Sequence, residues 1–462
     1  MNATTNVSPG YAPWFNVRSS TFDRSVLIQL CVCVIPAMAT IDLGQPLLGA
    51  RYLAGSLFLL LGYHVLTRNR YKFMSLLVGA GPALGLTRGL FFYDSILVFL
   101  AVGSILWAIV CWKEVYFVWR DPLWRWLACL CGLYWILSFA YLHNPGANVR
   151  AIEFVLATLA ICLLSNRRSY LATAFIGAAI AASSYAIAML PYGARLGEGD
   201  LGGDTIGNPI LLGMPAALIV LLALSDRGRY LLLEKSVMGR LAVCIISVEW
   251  LILSGSRGSW LVAATCLALV FLLSKWSRKT MLLAIGVGCL VTLVVLATGR
   301  GSKVTHVFDK TVDSDRTLNS RTSGRYVQWE VLPAIFAASP VWGWGPGSAP
   351  YVDSLYLHRH LVFHSLYLQV LVETGLVGFI PLLCILGAAL HRATVHWRRF
   401  GEVTPLVGIV GFLMVGVSVT AFDFISGVFL GLALMAREAH PRFVAREIVV
   451  HPVEDEGDVI TI

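Results

Sequence analysis

The sequence predicts an all-α fold, a polytopic integral membrane bundle of about 12–14 helices with one large extracytoplasmic loop. Three observations lead there. Of 462 residues, 57% are hydrophobic and only 13% charged, and the mean hydropathy of +0.75 lies far from that of soluble globular proteins. Apolar runs of about 20 residues recur along the chain, the length at which a helix crosses a hydrocarbon core of ~30 Å with its backbone hydrogen bonds satisfied internally. Lysines and arginines collect in alternate loops between those runs.

Eleven candidate spans precede the large loop, at roughly 26–42, 49–66, 73–86, 91–112, 123–142, 149–164, 169–190, 208–225, 238–254, 258–275 and 280–298. Three follow it, at roughly 365–390, 405–420 and 423–436. The run at 73–86 is short and is expected to break at Pro82, where a helix loses a hydrogen bond and meets a steric clash. The last two runs are separated by little more than Phe422-Asp423. The first run has no clear small-residue cleavage site after it, so it is expected to remain as an anchor. The chain thus divides into N-terminal transmembrane helices (1–298), the large loop (299–364), C-terminal transmembrane helices (365–436) and a charged tail (437–462) expected to be disordered on the cytoplasmic face.

When the runs alternate, Arg68, Arg70, Lys72, Arg167, Arg168, Lys275, Arg278, Lys279, Arg398 and Arg399 fall on one side, which the positive-inside rule makes cytoplasmic. Outside the large loop, the opposite side holds only a few: Arg51, Arg88, Arg150, Arg195 and Arg257. The net charge of +9 is therefore spread over short cytoplasmic loops instead of massed on one surface, which excludes a nucleic-acid binder. All ten cysteines lie in apolar runs with no CxxC, so neither disulfides nor a thiolate metal site is expected. No Walker A loop, GxSxG elbow or HExxH helix occurs, which removes nucleotide hydrolysis, serine hydrolysis and zinc proteolysis.

Two polar extracytoplasmic segments stand out, 191–207 and the large loop. Within the latter, Arg325 to Ser339 sets Trp329, Leu332 and Phe336 at helical spacing, which predicts an amphipathic helix lying on the membrane, kinked or divided at Pro333. The PVWGWGPG segment after it has turn chemistry, with tryptophans suited to the headgroup level.

The loop ends in His364, directly before the next apolar run. An imidazole at such a junction can exchange protons while touching a lipid-borne molecule; the alternative is a histidine that orients a neighbouring helix. His358 and His360 lie nearby. Arg257 sits at the outward turn of LILSGSRGSWLV, where a weakly hydrated guanidinium grips phosphate oxygens bidentately or, equally, reaches to water as an interfacial arginine. Arg195 lies in a glycine-rich loop that leaves room for an extended ligand, or is an ordinary loop arginine. Arg321 and Arg325 stand near the start of the amphipathic helix, where side chains and free amides can meet an anion. Arg300 and Lys303 are weaker candidates. Glu373, inside the following run, reads as a structural hydrogen-bonding acid, on a different face from His364 and deeper. Asp313-Ser314-Asp315 has the spacing of a cation-holding pair, but nothing nearby completes an oxygen cage, so no metal is expected.

Arg195 in its loop before Asn208-Pro209, then SGSRGSWL, SRTSGRYVQW with PVWGWGPG, and HSLYLQVLVETG together resemble the O-antigen ligase and polymerase superfamily, and are most like the lipopolysaccharide O-antigen ligases. The similarity covers roughly residues 190–380 and rests on the order of the motifs around one loop. Members have about twelve spans, so the resemblance implies that some of the shorter runs merge or do not cross. It also implies a multi-pass protein of the bacterial inner membrane with a large periplasmic loop. The implied reaction is inverting transfer of a glycan from undecaprenyl diphosphate to lipid A-core oligosaccharide, with no metal, no cofactor and no nucleic acid. On that pattern His364 is the catalytic base, and Arg195, Arg257, Arg321 and Arg325 hold the diphosphate. A short tail and a single dominant loop favour a ligase over a protein O-oligosaccharyltransferase or a polymerase. A multispan transporter or flippase is the alternative of another class, and its site belongs at the bilayer midplane.

Overall fold

The computed structural model describes residues 23–43, 45–86, 118–141, 145–164, 168–189, 199–201, 204–206, 256–273, 325–358, 363–418 and 424–435, with scattered positions in 213–221, 244–254 and 282–293. Among these residues the chain is helical apart from one short ribbon. The helices are α1 (Arg24–Asp42), α2 (Pro46–Leu66), α3 (Arg70–Leu86), α4 (Pro122–Tyr141), α5 (Pro145–Leu164), α6 (Arg168–Met189), α7 (Arg257–Leu273), α8 (Arg325–Ala338), α9 (Ala349–Leu357), α10 (Leu366–Phe400), α11 (Thr404–Ser418) and α12 (Phe424–Leu434). Between α6 and α7, β1 (Gly199–Leu201) pairs antiparallel with β2 (Asp204–Ile206), closing at Leu201 opposite Asp204. In the sequence, Gly202-Gly203 between the two strands is a two-residue hairpin signal.

The spans expected at 91–112, 208–225, 238–254 and 280–298 fall wholly or largely outside the described residues. Elsewhere helices occupy the expected runs, with three corrections. α3 continues past Pro82 to Leu86 without a break. α8 is likewise one helix through Pro333. The run expected at 365–390 is a 35-residue helix reaching Phe400, with non-helical backbone at Gly375. Among the described residues α10 is the one helix long and apolar enough by itself to cross a membrane; shorter apolar stretches lie in α1, α2, α5, α6, α7, α11 and α12.

Contacts divide the chain into two compact units, the first comprising Met1–Val118, Leu159–Leu267 and Trp276–Val327 and the second Trp119–Thr158, Ala268–Lys275 and Gln328–Ile462. In the first, α1, α3 and α6 pack on one another, and α2 packs against α1 and α3. Small residues set the approach: a β-carbon on Gly177 would stand 2.3 Å from the Leu30 side chain, and one on Gly79 2.8 Å from it. Lipid tails supply no hydrophobic drive between helices, so close van der Waals contact of this kind holds them together. At one end Asp23 caps α1, its Oδ1 accepting from the amides of Ser25 (2.9 Å) and Val26 (3.2 Å) while Oδ2 lies 3.6 Å from Lys72 Nζ. The Asp23 amide donates to Thr173 Oγ1 at 2.9 Å, joining α1 to α6. Burial alone raises the Asp23 pKa, but the Ser25 hydroxyl, the amides and Lys72 outweigh it and hold the carboxyl below its usual range.

In the second unit α10 packs against α4, α11 and α12, and α11 pairs closely with α12. Arg392 ties the far end of α10 down, with Nη1 and Nη2 donating to the two Asp121 carboxylate oxygens at 2.9 and 2.6 Å and Nη2 also to the Leu434 carbonyl at 3.0 Å. Asp121 in turn accepts from the Leu123 amide at the start of α4. One bidentate pair therefore fastens the ends of α4, α10 and α12. Large apolar side chains such as Phe58, Leu59, Ile136, Phe271 and Ile380 remain exposed on the helices, as on a surface that faces lipid.

Candidate functional site

Ser254, Ser256 and Ser259 of the SGSRGS segment are joined by hydrogen bonds at the start of α7. Ser256 is its cap: its Oγ accepts from the Ser259 amide at 3.4 Å and lies 3.0 Å from Ser259 Oγ, which donates to it. The Ser256 amide donates to Ser254 Oγ at 3.3 Å, and Ser254 Oγ donates to the Leu251 carbonyl at 2.7 Å. Trp260 Nε1 reaches the same carbonyl at 2.6 Å. Gly213 packs directly on these hydroxyls, where a β-carbon would come within 2.5 Å of Ser259 Oγ. These bonds fix Arg257 as the first residue of α7, half-buried, beside the positive end of the helix dipole.

Arg325, the first residue of α8, carries the second guanidinium. Its basicity is lowered, first by burial and then by the charge of Arg257. Two cations held near one another at a capped helix start repel, and an anion with more than one charge relieves that repulsion. Arg195, Arg321, Asn208-Pro209 and Asp313-Ser314-Asp315 lie outside the described residues. Of the four arginines expected to bind a diphosphate, the structure therefore brings together Arg257 and Arg325.

His364 belongs to the second unit, where a lip is built from α8, the turn 339–348, α9 and the start of α10. Phe363, Ile335, Ala349, Val352 and Val372 form its buried core, with Val331, Leu332, Trp344 and Tyr356 packed around them. The inward face of α8 thus runs through Gln328, Val331 and Ile335, whereas Trp329, expected on the apolar face, is exposed. Leu332 joins the core from the flank. The core-facing side of α8 therefore includes the polar Gln328, which the apolar spacing of Trp329, Leu332 and Phe336 did not point to.

The glycine-tryptophan turn docks on the break in α10. Trp344 N–H donates to the Val372 carbonyl (2.8 Å), Gly345 N–H to that of Glu373 (2.9 Å), Leu376 N–H to that of Pro340 (3.0 Å) and Val377 N–H to that of Val341 (3.1 Å). In an unbroken helix the Leu376 and Val377 amides would donate to the Val372 and Glu373 carbonyls; at the break each of these four groups is partnered by the turn instead. Glu373 completes the junction: its carboxylate accepts from Tyr134 Oη of α4, from Gln369 Nε2 at 2.9 Å and from the Ala349 amide at 3.3 Å. It is the hydrogen-bonding acid expected, one helix turn after Gln369.

His364 itself is half-buried immediately before Ser365, the N-cap of α10. Ser365 Oγ donates to the Gly416 carbonyl at 3.3 Å and Tyr367 Oη to that of Leu413 at 2.9 Å, so this helix start is fixed to α11. The His364 amide donates to Gln328 Oε1 at 3.5 Å, and Gln328 Nε2 donates to Asp353 Oδ1 at 3.1 Å. Gln328 and Asp353 are both buried and were not foreseen. His358, by contrast, caps α9 in a left-handed conformation with φ 54°. His360 lies outside the described residues.

Apolar helices whose polar, glycine-rich motifs gather at their ends define a helical membrane protein. Residues 242–383 match the family model Wzy_C, described as O-antigen ligase. That stretch, which holds Arg257, Arg325, Gln328, Asp353, His364 and Glu373, is similar to the O-antigen ligase family. No curated protein matches the chain.

Proposed function

We propose that this protein is an O-antigen ligase, a metal-independent inverting glycosyltransferase that moves O-antigen glycan from undecaprenyl diphosphate to lipid A-core oligosaccharide. It works as a multi-pass protein of the bacterial inner membrane, with 12–14 spans in all and the 299–364 loop facing the periplasm. The observation that supports this best is the pairing of Arg257, at the start of α7, with Arg325, at the start of α8, two cations close enough that one lowers the basicity of the other, within the family-matched stretch. Arg195 and Arg321 add contacts to the same diphosphate.

A diphosphate is a good leaving group once its developing charge is met, so the donor side calls for cations more than for an acid. The acceptor is a sugar hydroxyl, a poor nucleophile until its proton begins to leave. The neutral imidazole of His364 takes that proton as the hydroxyl oxygen bonds to the anomeric carbon. The bond from that carbon to the carrier phosphate breaks, its electron pair goes to the diphosphate, and attack from the opposite face inverts the configuration.

The test is reconstitution of purified protein with carrier-linked glycan and lipid A-core, without nucleotide or divalent ions. Glycan appearing on lipid A-core supports the proposal. Longer carrier-linked glycan instead identifies a polymerase, glycan on a pilin a protein O-oligosaccharyltransferase, and carrier translocation without bond formation a flippase; each overturns it.

A further inference from the structure

We propose that Gln328 is a positioning residue for His364, its side-chain amide held in one orientation by Asp353; this rests on the reading of His364 as the base. A primary amide is nearly symmetric in shape, so its neighbours decide which end is oxygen. Asp353, on α9, has a carboxylate that offers only acceptor oxygens, and it takes the Gln328 NH₂ at 3.1 Å. The carbonyl end of Gln328 is thereby turned to the His364 amide, a donor, at 3.5 Å. Phe363, fully buried in the lip core, holds the backbone on one side of His364, and the Ser365 cap holds it on the other. The Gln328 contact anchors the peptide between them, and with it the direction from which the imidazole side chain leaves the chain.

The relay makes a charge-swap prediction that burial alone does not. Q328E sets two carboxylates face to face and lowers kcat about ten- to a hundredfold, the scale on which a misplaced catalytic group costs rate. D353N added to Q328E restores the pattern, because the new carboxylate accepts both from the asparagine NH₂ and from the His364 amide. The double variant Q328E/D353N is expected within about threefold of wild-type kcat, with the donor KM little changed throughout. Q328L lowers kcat in the wild-type background and is expected to change the residual rate of H364A by less than about twofold, because the two act as one unit.

The measurements are kcat and KM for transfer to lipid A-core, with melting temperature as the control for folding. Equal losses from Q328L with and without His364 overturn the inference and leave the base assignment standing. Recovery of melting temperature but not of kcat in Q328E/D353N also overturns it, since that is the behaviour of a purely structural contact. Near-normal transfer by H364A defeats the base assignment itself, and the positioning role falls with it.

Discussion

Gly343 and Gly375 meet backbone to backbone: a β-carbon on either would stand 2.6 Å from the amide nitrogen of the other. Both have positive φ, 70° and 58°, in the region that L side chains rarely adopt. The contact is where the glycine-tryptophan turn seats on the interrupted α10, and the two glycines are required together.

Gly375→Ala should therefore destabilise the protein twice over, through backbone strain of about 1–3 kcal/mol and through collision with the Val341 carbonyl. The added methyl would lie 2.4 Å from that oxygen. Thermal unfolding in detergent is expected to shift down by several degrees. An unchanged midpoint would mean that the turn does not hold its seat in solution.

His364→Ala is expected to lower transfer by about 10² to 10⁴ while the protein still inserts and melts normally, since removal of a positioned base costs that much. Turnover with carrier-linked glycan reads the rate. Activity near that of the parent excludes the imidazole from chemistry.

Arg257→Lys keeps the charge but loses the planar fork, and bidentate phosphate contact with it. About a ten- to hundredfold fall in kcat is expected, matching loss of a charged hydrogen bond. Full activity would leave Arg257 as a marker of the membrane edge.

Asp23 gives a prediction in pH. Its carboxyl is held below the ordinary value of 3.8, so its ionised form stabilises the folded state. That contribution is present in full above the unfolded pKa and is lost as pH falls through the folded one. Asp23→Ala, which also removes the α1 cap, should cost about 0.5–2 kcal/mol near neutrality. The deficit should shrink in unfolding experiments below about pH 4 and vanish once the parent carboxyl is protonated. A deficit that stays constant through acid would assign the effect to shape instead of charge.

Hydropathy and loop charge made the helices legible, because crossing lipid imposes a length and a composition that few other structures share. Candidates for the site were legible where charge or ring chemistry stood at the end of an apolar run, as at Arg257 and His364, or at the start of an amphipathic helix, as at Arg325. Gln328 and Asp353 were not, since a buried amide–carboxylate pair between two helices of a loop leaves no periodic trace. Their only signal was Gln328 itself, a polar residue spaced with Val331 and Ile335. Neither Pro82 nor Pro333 divides its helix, because proline removes one hydrogen bond without forcing a helix to end when its neighbours hold it. Trp344 read as an interface anchor and Glu373 as a hydrogen-bonding acid, but that they meet at one junction is a long-range pairing with no local sequence pattern.

The break at Gly375 also divides a span. The apolar stretch after it, Leu376–Leu390, is about 15 residues, about 22 Å of helix, less than the ~30 Å of hydrocarbon to be crossed. The roughly two turns before the break, Leu366–Thr374, are therefore needed to complete the crossing expected at 365–390. Glu373 lies in that part, and Tyr134, Gln369 and the Ala349 amide meet its carboxylate from within the protein, so the interruption costs the span no water.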